Sequence, residues 1–284
     1  MKLRRHMEIT SFLGIAQEYL ERNEALNNLM LGLAARIKKD PGYYDEVYLT
    51  TVTHDDEVVL VALMTIPYKL LVYSECDDCG AAVNLLIHDL LKAEHKIPGV
   101  LGPKELARLV AETWAKHVPS HVELTMPMGV YELREVNHEL IGEGNLRLAT
   151  ENDVHLVAEG IFALTQETEP HQAPSLAKCY VAARSGFERK SIYVWEHNGE
   201  AVSMATKARP TGRGASVNMV YTPENLRNRG YATSCVASLS QLLLDEGYEF
   251  CSLFTNLSNP TSNSIYQKIG YKPVGYFDDY AIRA

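Results

Sequence analysis

The sequence predicts a mixed α/β protein built from two tandem domains, and three observations support this prediction. The chain has 284 residues, more than the roughly 100–200 of one typical domain. Short β-branched and aromatic runs alternate with segments of helical periodicity in both halves. A segment rich in glycine and polar residues separates the halves.

The composition excludes some classes of partner. Hydrophobic residues make up 46% and charged residues 22% of the chain, as in soluble globular proteins. The formal net charge of −9 argues against nucleic acid or an anionic membrane as the main partner, because those surfaces select for excess Lys and Arg. A small polyanionic ligand needs only a few donors, so this charge does not exclude one.

Signals for export or for a bilayer are weak. Met1–Met7 is briefly basic, but polar residues follow at 8–11, so no apolar signal core develops. No apolar run approaches the roughly 18 residues that span a bilayer. We therefore expect a cytoplasmic protein that does not enter a membrane.

The five cysteines are an odd number, which favours reduced thiols over a disulfide framework. Cys76 and Cys79 have the spacing of metal and redox sites, but no second pair of Cys or His follows at zinc-site distance. The favoured interpretation is a loop at a helix start with two incidental thiols. No metal site is predicted.

The N-terminal half predicts strands first and helices afterwards. His54–Asp56 forms a turn between two strands and so predicts a hairpin. The predicted strands of this half are 48–52, 58–66, 69–73 and 122–136, and its predicted helices are 81–95 and 103–117. Ile141–Asn145 is the best candidate for a linker, so we place the boundary between domains 1–141 and 142–284.

The C-terminal half predicts the element order β-α-α-β-β-β-α-β-α-β. Thr150 with Asp153 resembles a capping box at the first helix, and His197–Gly199 forms a hairpin turn. The predicted strands are 146–149, 191–196, 201–208, 215–221, 249–255 and 276–282, and the predicted helices are 154–166, 173–187, 230–246 and 262–269. Both halves place consecutive strands before helices, which suggests duplication of one unit.

The loop after strand 215–221 has the features of an anion site. It leads into a helix, whose first N–H groups lack intrahelical partners and carry the positive end of the helix dipole. Gly230 permits close approach of a phosphate to the backbone, and small Ala232 leaves room beside it. Arg227 and Arg229 add positive charge. The alternative interpretation is an ordinary basic helix cap.

Other phosphate-binding motifs fit the sequence less well. Gly212-Arg213-Gly214 precedes a strand and lacks a third glycine, so it is not a dinucleotide fingerprint. No G-x-x-x-x-G-K-S/T sequence occurs, which excludes a P-loop.

Two motifs resemble those of the GNAT superfamily of N-acetyltransferases. Arg227-x-x-Gly230-x-Ala232 resembles its acyl-CoA signature Q/R-x-x-G-x-G/A. Residues 259–271 resemble its second signature, N-x-x-A/S-x-x-x-Y-x-x-I/L-G-F/Y. The resemblance covers about 145–284 and implies two tandem GNAT-like domains, each a mixed, mostly antiparallel sheet flanked by helices. The N-terminal domain is expected to be degenerate because it lacks the first motif.

The resemblance also implies roles for individual residues. A strand end would pair with the pantetheine arm of acetyl-CoA, and the loop with the helix start would bind its pyrophosphate. The implied catalytic residues are Asn259, near the acyl end, and Tyr266, which would protonate the leaving thiolate; a phenol is protonated at neutral pH. The two could instead be a helix cap and a core aromatic. The implied coenzyme-binding residues are Met219, Val220, Tyr221, Arg227, Asn228, Arg229, Gly230, Tyr231, Ala232, Thr233, Asn259, Ser262 and Tyr266.

The general base does not follow from the sequence. Many relatives place a carboxylate on one of the two central strands, whereas here strand 215–221 carries only Asn218 and the later strand has Phe254. Glu196 could act through water, although a solvated charge at a hairpin end is the favoured interpretation.

The predicted activity is transfer of an acetyl group from acetyl-CoA to a primary amine of a small molecule or peptide. Glu167, Glu169 and His171 lie between two predicted helices and could bind a cationic acceptor, or form an exposed loop. One alternative is a CoA-binding sensor or scaffold, which the missing carboxylate favours and Tyr266 disfavours. Another is a structural protein with fortuitous motifs. The acceptor, the acyl preference and the oligomeric state do not follow from the sequence.

Overall fold

The computed structural model describes the backbone of residues 1–168 and 173–283, with side chains for all of these except 167 and 168. No helix in this part of the chain is both long and apolar enough to cross a bilayer. The α-helices are α1 (Ile9–Glu21), α2 (Asn28–Lys39), α3 (Gly80–Lys92), α4 (Lys104–His117), α5 (Val154–Thr168), α6 (Leu176–Glu188), α7 (Tyr231–Asp245) and α8 (Pro260–Ile269). The strands are β1 (Lys2–Arg5), β2 (Glu46–His54), β3 (Glu57–Ile66), β4 (Leu70–Tyr73), β5 (Gly99–Pro103), β6 (His121–Leu133), β7 (Asn145–Leu148), β8 (Ile192–His197), β9 (Glu200–Ala208), β10 (Gly214–Tyr221), β11 (Phe250–Asn256) and β12 (Lys272–Arg283).

The same order of helices and strands occurs twice along the chain. The first copy runs β1-α1-α2-β2-β3-β4-α3-β5-α4-β6, and the second runs β7-α5-α6-β8-β9-β10-α7-β11-α8-β12. The order predicted for the C-terminal half is therefore present in both halves. The mixed α/β class is confirmed.

The described chain forms two compact units that do not follow a single cut. Unit 1 contains residues 1–131, 254–260 and the described residues from 273 onward, whereas unit 2 contains the described residues of 132–253 and 261–272. The last strand, β12, belongs to unit 1 because it is hydrogen-bonded to β5. A boundary between residues 141 and 142 stays a prediction about separately folding domains.

The sheet of unit 1 has the strand order β1-β2-β3-β4-β5-β12-β6. β12 runs antiparallel to β5, and β4 runs parallel to it. β5 needs glycine at two positions, because a Cβ at Gly99 would lie 2.1 Å from the Tyr280 carbonyl oxygen and one at Gly102 would lie 2.4 Å from that of Val72. Buried side chains of α1 and α2 pack on this sheet in one cluster, and those of α3 and α4 do so in another.

The sheet of unit 2 has the strand order β11-β10-β9-β8-β7. β7, β8, β9 and β10 pair antiparallel, and only the β10–β11 pair is parallel among the described strands of this unit. The predicted mostly antiparallel sheet is thus confirmed. α5 lies close to β9 and β10 because residue 160 is glycine: a Cβ there would lie 2.8 Å from Met204 Sδ and 2.9 Å from the Tyr221 ring.

The start of α5 is fixed by a buried carboxylate. Thr150 and Asp153 form the predicted capping box, and Asp153 also accepts two hydrogen bonds from Arg147, at 2.7 and 2.9 Å. Burial alone would raise the pKa of Asp153, but the bonds from Arg147 and Thr150 outweigh it and hold the pKa below its ordinary value of 3.8. Asp153 therefore stabilises the fold in its charged form.

Replacing Asp153→Asn should lower the free energy of unfolding by about 1–3 kcal/mol, because Asn keeps part of the cap but loses the ion pair. A depressed folded pKa contributes stability that is present above pH 3.8 and lost as the pH falls through the folded pKa. Urea titrations at several pH values should therefore show the difference from wild type shrinking in acid. Glu151→Gln is the control, since Glu151 pairs with Arg184 in solvent. A difference that does not change with pH would contradict this account.

Candidate functional site

β10 and β11 separate within unit 2 after a short paired stretch. Their parallel ladder runs from Gly214–Phe250 to Ser216–Ser252 and, within the described strands, ends there. β10 continues to Tyr221, which adds about 16 Å of strand edge at roughly 3.3 Å per residue. Backbone groups on this edge can pair with an extended ligand in the way that a neighbouring strand would.

A β-bulge lies in this separated part of β10. The register with β9 passes from Asn218–Thr206 to Tyr221–Met204, so three steps on β10 match two steps on β9. Met219 takes the positive φ of 51° that the extra residue requires. A non-glycine residue in this region costs on the order of 1–3 kcal/mol, a strain that is most often kept where it serves a site. The bulge thus changes the direction of the backbone groups next to the opening.

Ser203 fixes the far end of β10. Its hydroxyl donates to the Tyr221 carbonyl oxygen at 3.1 Å and is 2.9 Å from the hydroxyl of Thr222. Ser203 is completely buried, so its side of both contacts is shielded from water. The point where the strand passes into the following loop is therefore held in place.

The loop after β10 ends in an uncapped helix N-terminus. Asn228 and Gly230 have positive φ angles of 63° and 80°, and α7 begins at the next residue. The first intrahelical bond runs from Ser234 N to Gly230 O, at 2.9 Å, so the N–H groups of residues 231–233 have no intrahelical acceptor. Gly230 has no side chain to cap them, and a Cβ there would meet nothing within 4 Å. Open N–H donors and free space therefore lie together at the start of α7.

Two exposed arginines flank this helix start. Arg227 Nε donates to the Thr222 carbonyl oxygen at 3.1 Å, and an Arg229 terminal nitrogen donates to that of Asn225 at 3.3 Å. Each contact uses one donor of a guanidinium that has five. The remaining donors and the positive end of the helix dipole together favour an anion at this position.

Tyr266 lies on α8 with its hydroxyl available for donation. Its ring packs edge-on against that of Tyr271, with centroids 6.1 Å apart, and the Tyr271 hydroxyl is 2.8 Å from that of Ser240. The Tyr266 hydroxyl has no hydrogen-bond partner among the described residues. Burial raises the pKa of Tyr266 to about 12, so the phenol stays protonated at neutral pH.

The other predicted site residues lie around α8. Ser262 is in its first turn, and Asn259 directly precedes it, with a backbone N–H that donates to the Asn256 carbonyl oxygen at 3.0 Å. Asn259 belongs to the segment grouped with unit 1. The structure therefore brings the predicted residues 219–221 and 227–233 together at one end of β10, and the role of Asn259 stays a prediction.

Comparisons with known proteins agree with this geometry. Residues 197–277 match the family model described as FR47-like protein. A GNAT-family acetyltransferase from Colwellia psychrerythraea superposes with a TM-score of 0.56 at 10% identity, covering 100% of this chain and 99% of that chain. A Drosophila protein gives 0.64 at 13%, covering 99% and 98%, and a tandem GNAT protein from the clavulanic acid biosynthesis pathway gives 0.56 at 12%, covering 98% of each. No curated protein matches this chain in sequence.

These similarities extend over both halves and decide the fold. This chain has the fold of two-domain GNAT proteins. At such low identities the relation is one of shared fold, and the matched family segment contains both sequence motifs. The predicted resemblance and the tandem arrangement are confirmed.

In unit 2, Glu196 has a structural partner. It forms an ion pair with Arg147, which also binds Asp153, at the edge of an open cleft of about 640 Å³ in unit 2. The favoured interpretation of Glu196 as a charge at a hairpin end fits this contact better than a role as base. Glu169 and His171 lie outside the described residues, as does the side chain of Glu167.

Unit 1 has the corresponding loop between β4 and α3, but this loop is acidic instead of basic. Three of its N–H groups are bonded within the unit: that of Glu75 donates to the Tyr19 hydroxyl at 2.7 Å, that of Cys76 to the Ser74 hydroxyl at 3.1 Å, and that of Gly80 to an Asp78 carboxylate oxygen at 3.0 Å. This loop thus carries carboxylates, whereas the corresponding loop of unit 2 carries arginines. The two cysteines of this loop are free thiols, as the sequence led us to expect.

The strand opening of unit 1 is filled by its own side chains. The described β4–β5 ladder ends at Leu71–Leu101, and Leu26 and Phe277 line the small apolar cavity beside it. Gly275 lies so close to Leu26 that a Cβ there would be 2.4 Å from a leucine methyl carbon. Among the described residues of the first copy, Leu26 and Phe277 thus close the strand opening, and the loop beside it is acidic.

Proposed function

We propose that unit 2 binds acetyl-CoA and transfers its acetyl group to a primary amine. The observation that carries this proposal is the opening between β10 and β11, whose free strand edge leads directly to an uncapped helix N-terminus. A ligand with an extended amide-bearing arm and a diphosphate matches both features in one molecule. The GNAT fold and the two motifs support the same choice.

The helix start has the donor set for a pyrophosphate. The N–H groups of Tyr231, Ala232 and Thr233 point out of the helix, and Arg227 and Arg229 supply charge-assisted donors. Asn228 takes a left-handed φ that turns its neighbouring N–H groups towards one side. The strand edge at Met219, Val220 and Tyr221 would then pair with the amides of the pantetheine arm.

The reaction needs few groups from the protein. The coenzyme supplies an activated thioester, whose carbonyl carbon forms a C–N bond with a neutral amine as its C–S bond breaks. A backbone N–H near Val220 or Tyr221 would stabilise charge on the carbonyl oxygen. Tyr266 would donate a hydrogen bond to the leaving sulfur. The pKa of Tyr266, about 12, lies well above that of a thiol, near 8.5, so complete transfer of the phenol proton to sulfur is unfavourable. The leaving thiolate is instead protonated by the proton that the amine loses.

Replacing Gly230→Glu should abolish binding of CoA, because a side chain would enter the free space at the helix start and bring a negative charge. Wild type at a CoA concentration 100 times its dissociation constant should gain about 2.7 kcal/mol of stability, measured as a thermal shift. Gly247→Glu is the matched control. Gly247 also has a positive φ and open space, but it lies after the C-terminal end of α7. Equal loss in both variants would show that the effect is on folding.

Replacing Tyr266→Phe should lower turnover by roughly tenfold to a hundredfold while leaving the thermal shift with CoA unchanged, because only the donor to the leaving sulfur is lost. The measurement is release of free thiol from acetyl-CoA in the presence of an amine panel. Tyr271→Phe is the control, since it removes the bond to Ser240 and should lower stability without that loss of turnover. Full activity of the Tyr266 variant would remove this residue from the mechanism.

One chain should bind one molecule of CoA, because among the described residues the loop of unit 2 combines open helix donors with arginines, whereas the corresponding loop of unit 1 carries carboxylates. Isothermal titration calorimetry of the full chain measures this stoichiometry. Gly230→Glu should reduce the measured number of sites to zero. Two sites in wild type, or one remaining site in the variant, would contradict the assignment of unit 1 as a non-binding copy.

A CoA-binding sensor without turnover is the second candidate, favoured by the absence of a carboxylate from β10. Such a protein would show the thermal shift with acetyl-CoA and release no free CoA with any amine. The acceptor is proposed to be cationic, because the net charge of −9 attracts such amines.

A further inference from the structure

Asn218 lies at the point in unit 2 where β10 leaves β11. It is two residues beyond the last pair of the described ladder, Ser216–Ser252, and directly before the bulge at Met219. Since side chains alternate along a strand, Asn218 shares the sheet face of Ser216 and of its cross-strand partner Thr206. This face also carries Met204, which packs in the cluster formed with α5 and α6.

Thr206 holds the Asn218 side chain but leaves one of its polar atoms available. The Thr206 hydroxyl is hydrogen-bonded to the Asn218 side-chain oxygen and is 3.2 Å from the Asn218 main-chain oxygen. A hydroxyl has one proton, so it donates to only one of these oxygens. If it donates to the main chain, the amide group turns and its NH₂ donates to the hydroxyl.

In both arrangements one polar atom of the Asn218 amide has no partner among the described residues. Either the NH₂ group or the side-chain oxygen is left, and the side chain is only half-exposed. This polar atom can therefore form a hydrogen bond to a ligand that enters the opening. The described residues of β10, and those of β11 in unit 2, contain no carboxylate that could do this instead.

We propose that Asn218, oriented by Thr206, binds the acceptor amine beside the thioester. This inference rests on the proposed function. With the pyrophosphate at the start of α7 and the pantetheine arm along residues 219–221, the acyl end of the coenzyme lies towards Ser216–Ser252, the last pair before β10 and β11 separate. Asn218 is the polar side chain at that position on the free part of β10. When Thr206 donates to the main chain, the free side-chain oxygen of Asn218 can accept an N–H of the amine and leave its lone pair free to attack, without retaining the amine as a charged ion pair.

The test is a steady-state comparison of Asn218→Ala with wild type, using acetyl-CoA and the best amine among spermidine, glycinamide and a lysine-containing peptide. The KM for the amine should rise on the order of fivefold to tenfold, as expected for loss of one hydrogen bond. The KM for acetyl-CoA and the thermal shift with CoA should stay unchanged. Thr206→Val should give a smaller rise in the same direction, because the amide remains but is no longer held.

Ser252→Ala is the matched control. It removes a buried hydrogen bond to Ser216, at 2.9 Å, in the closed part of the same strand pair. It should lower stability without changing the KM for the amine. An equal rise in KM in this variant, or an unchanged KM in Asn218→Ala, overturns the inference while leaving the proposed function intact. Absence of turnover by wild type with all three amines overturns the proposed transferase function, and this inference with it.

Discussion

The early end of the β10–β11 ladder is the constraint on which the candidate site depends. A strand interior normally pairs on both edges, because unpaired backbone groups are costly when they are partly shielded from water. Here β10 is held on one edge by β9, with a bulge at Met219, and by Ser203 at its end. The other edge is left for a ligand. Because these contacts hold β10 in place, its free edge is already ordered before a ligand binds. Binding therefore costs less conformational entropy.

The two copies of the fold show how few residues decide whether a helix start binds an anion. In unit 2 a glycine at the N-cap leaves the helix donors open, and arginines stand nearby. In unit 1 three N–H groups of the corresponding loop and helix start bond to Tyr19, Ser74 and Asp78. The order of helices and strands is the same in both units, so the difference lies in the side chains around the loop. A chain can therefore keep a fold for its packing while losing its ligand.

Local signals explain which elements could be predicted from the sequence. In the C-terminal half the Thr150 capping box and the His197–Gly199 turn mark boundaries clearly, and all ten elements were predicted in order. β1, α1, α2 and β5 were not predicted. β5 contains Gly99 and Gly102, which are typical of turns, yet both are required by the close approach of neighbouring carbonyl groups. That requirement is tertiary and leaves no local pattern.

The candidate site, like the fold, could be predicted only where its residues form a local sequence pattern. The anion loop has a local sequence pattern, and the structure places its residues at a helix start. The bulge could not be predicted, because methionine is not favoured at positive φ and the register depends on pairing with β9. The contact between Asn218 and Thr206 is a cross-strand pair, which appears only once that register is known.

The position of β12 has a consequence for how the chain reaches its folded state. β5 ends at residue 103, yet the strand that completes its antiparallel edge begins only at residue 272. During synthesis, one edge of β5 therefore stays unpaired until nearly all of the described chain has been made. Such long-range closure slows folding and exposes an edge to pairing with other nascent chains. The nascent protein should depend on chaperones during that interval more than a chain whose domains close in sequence order.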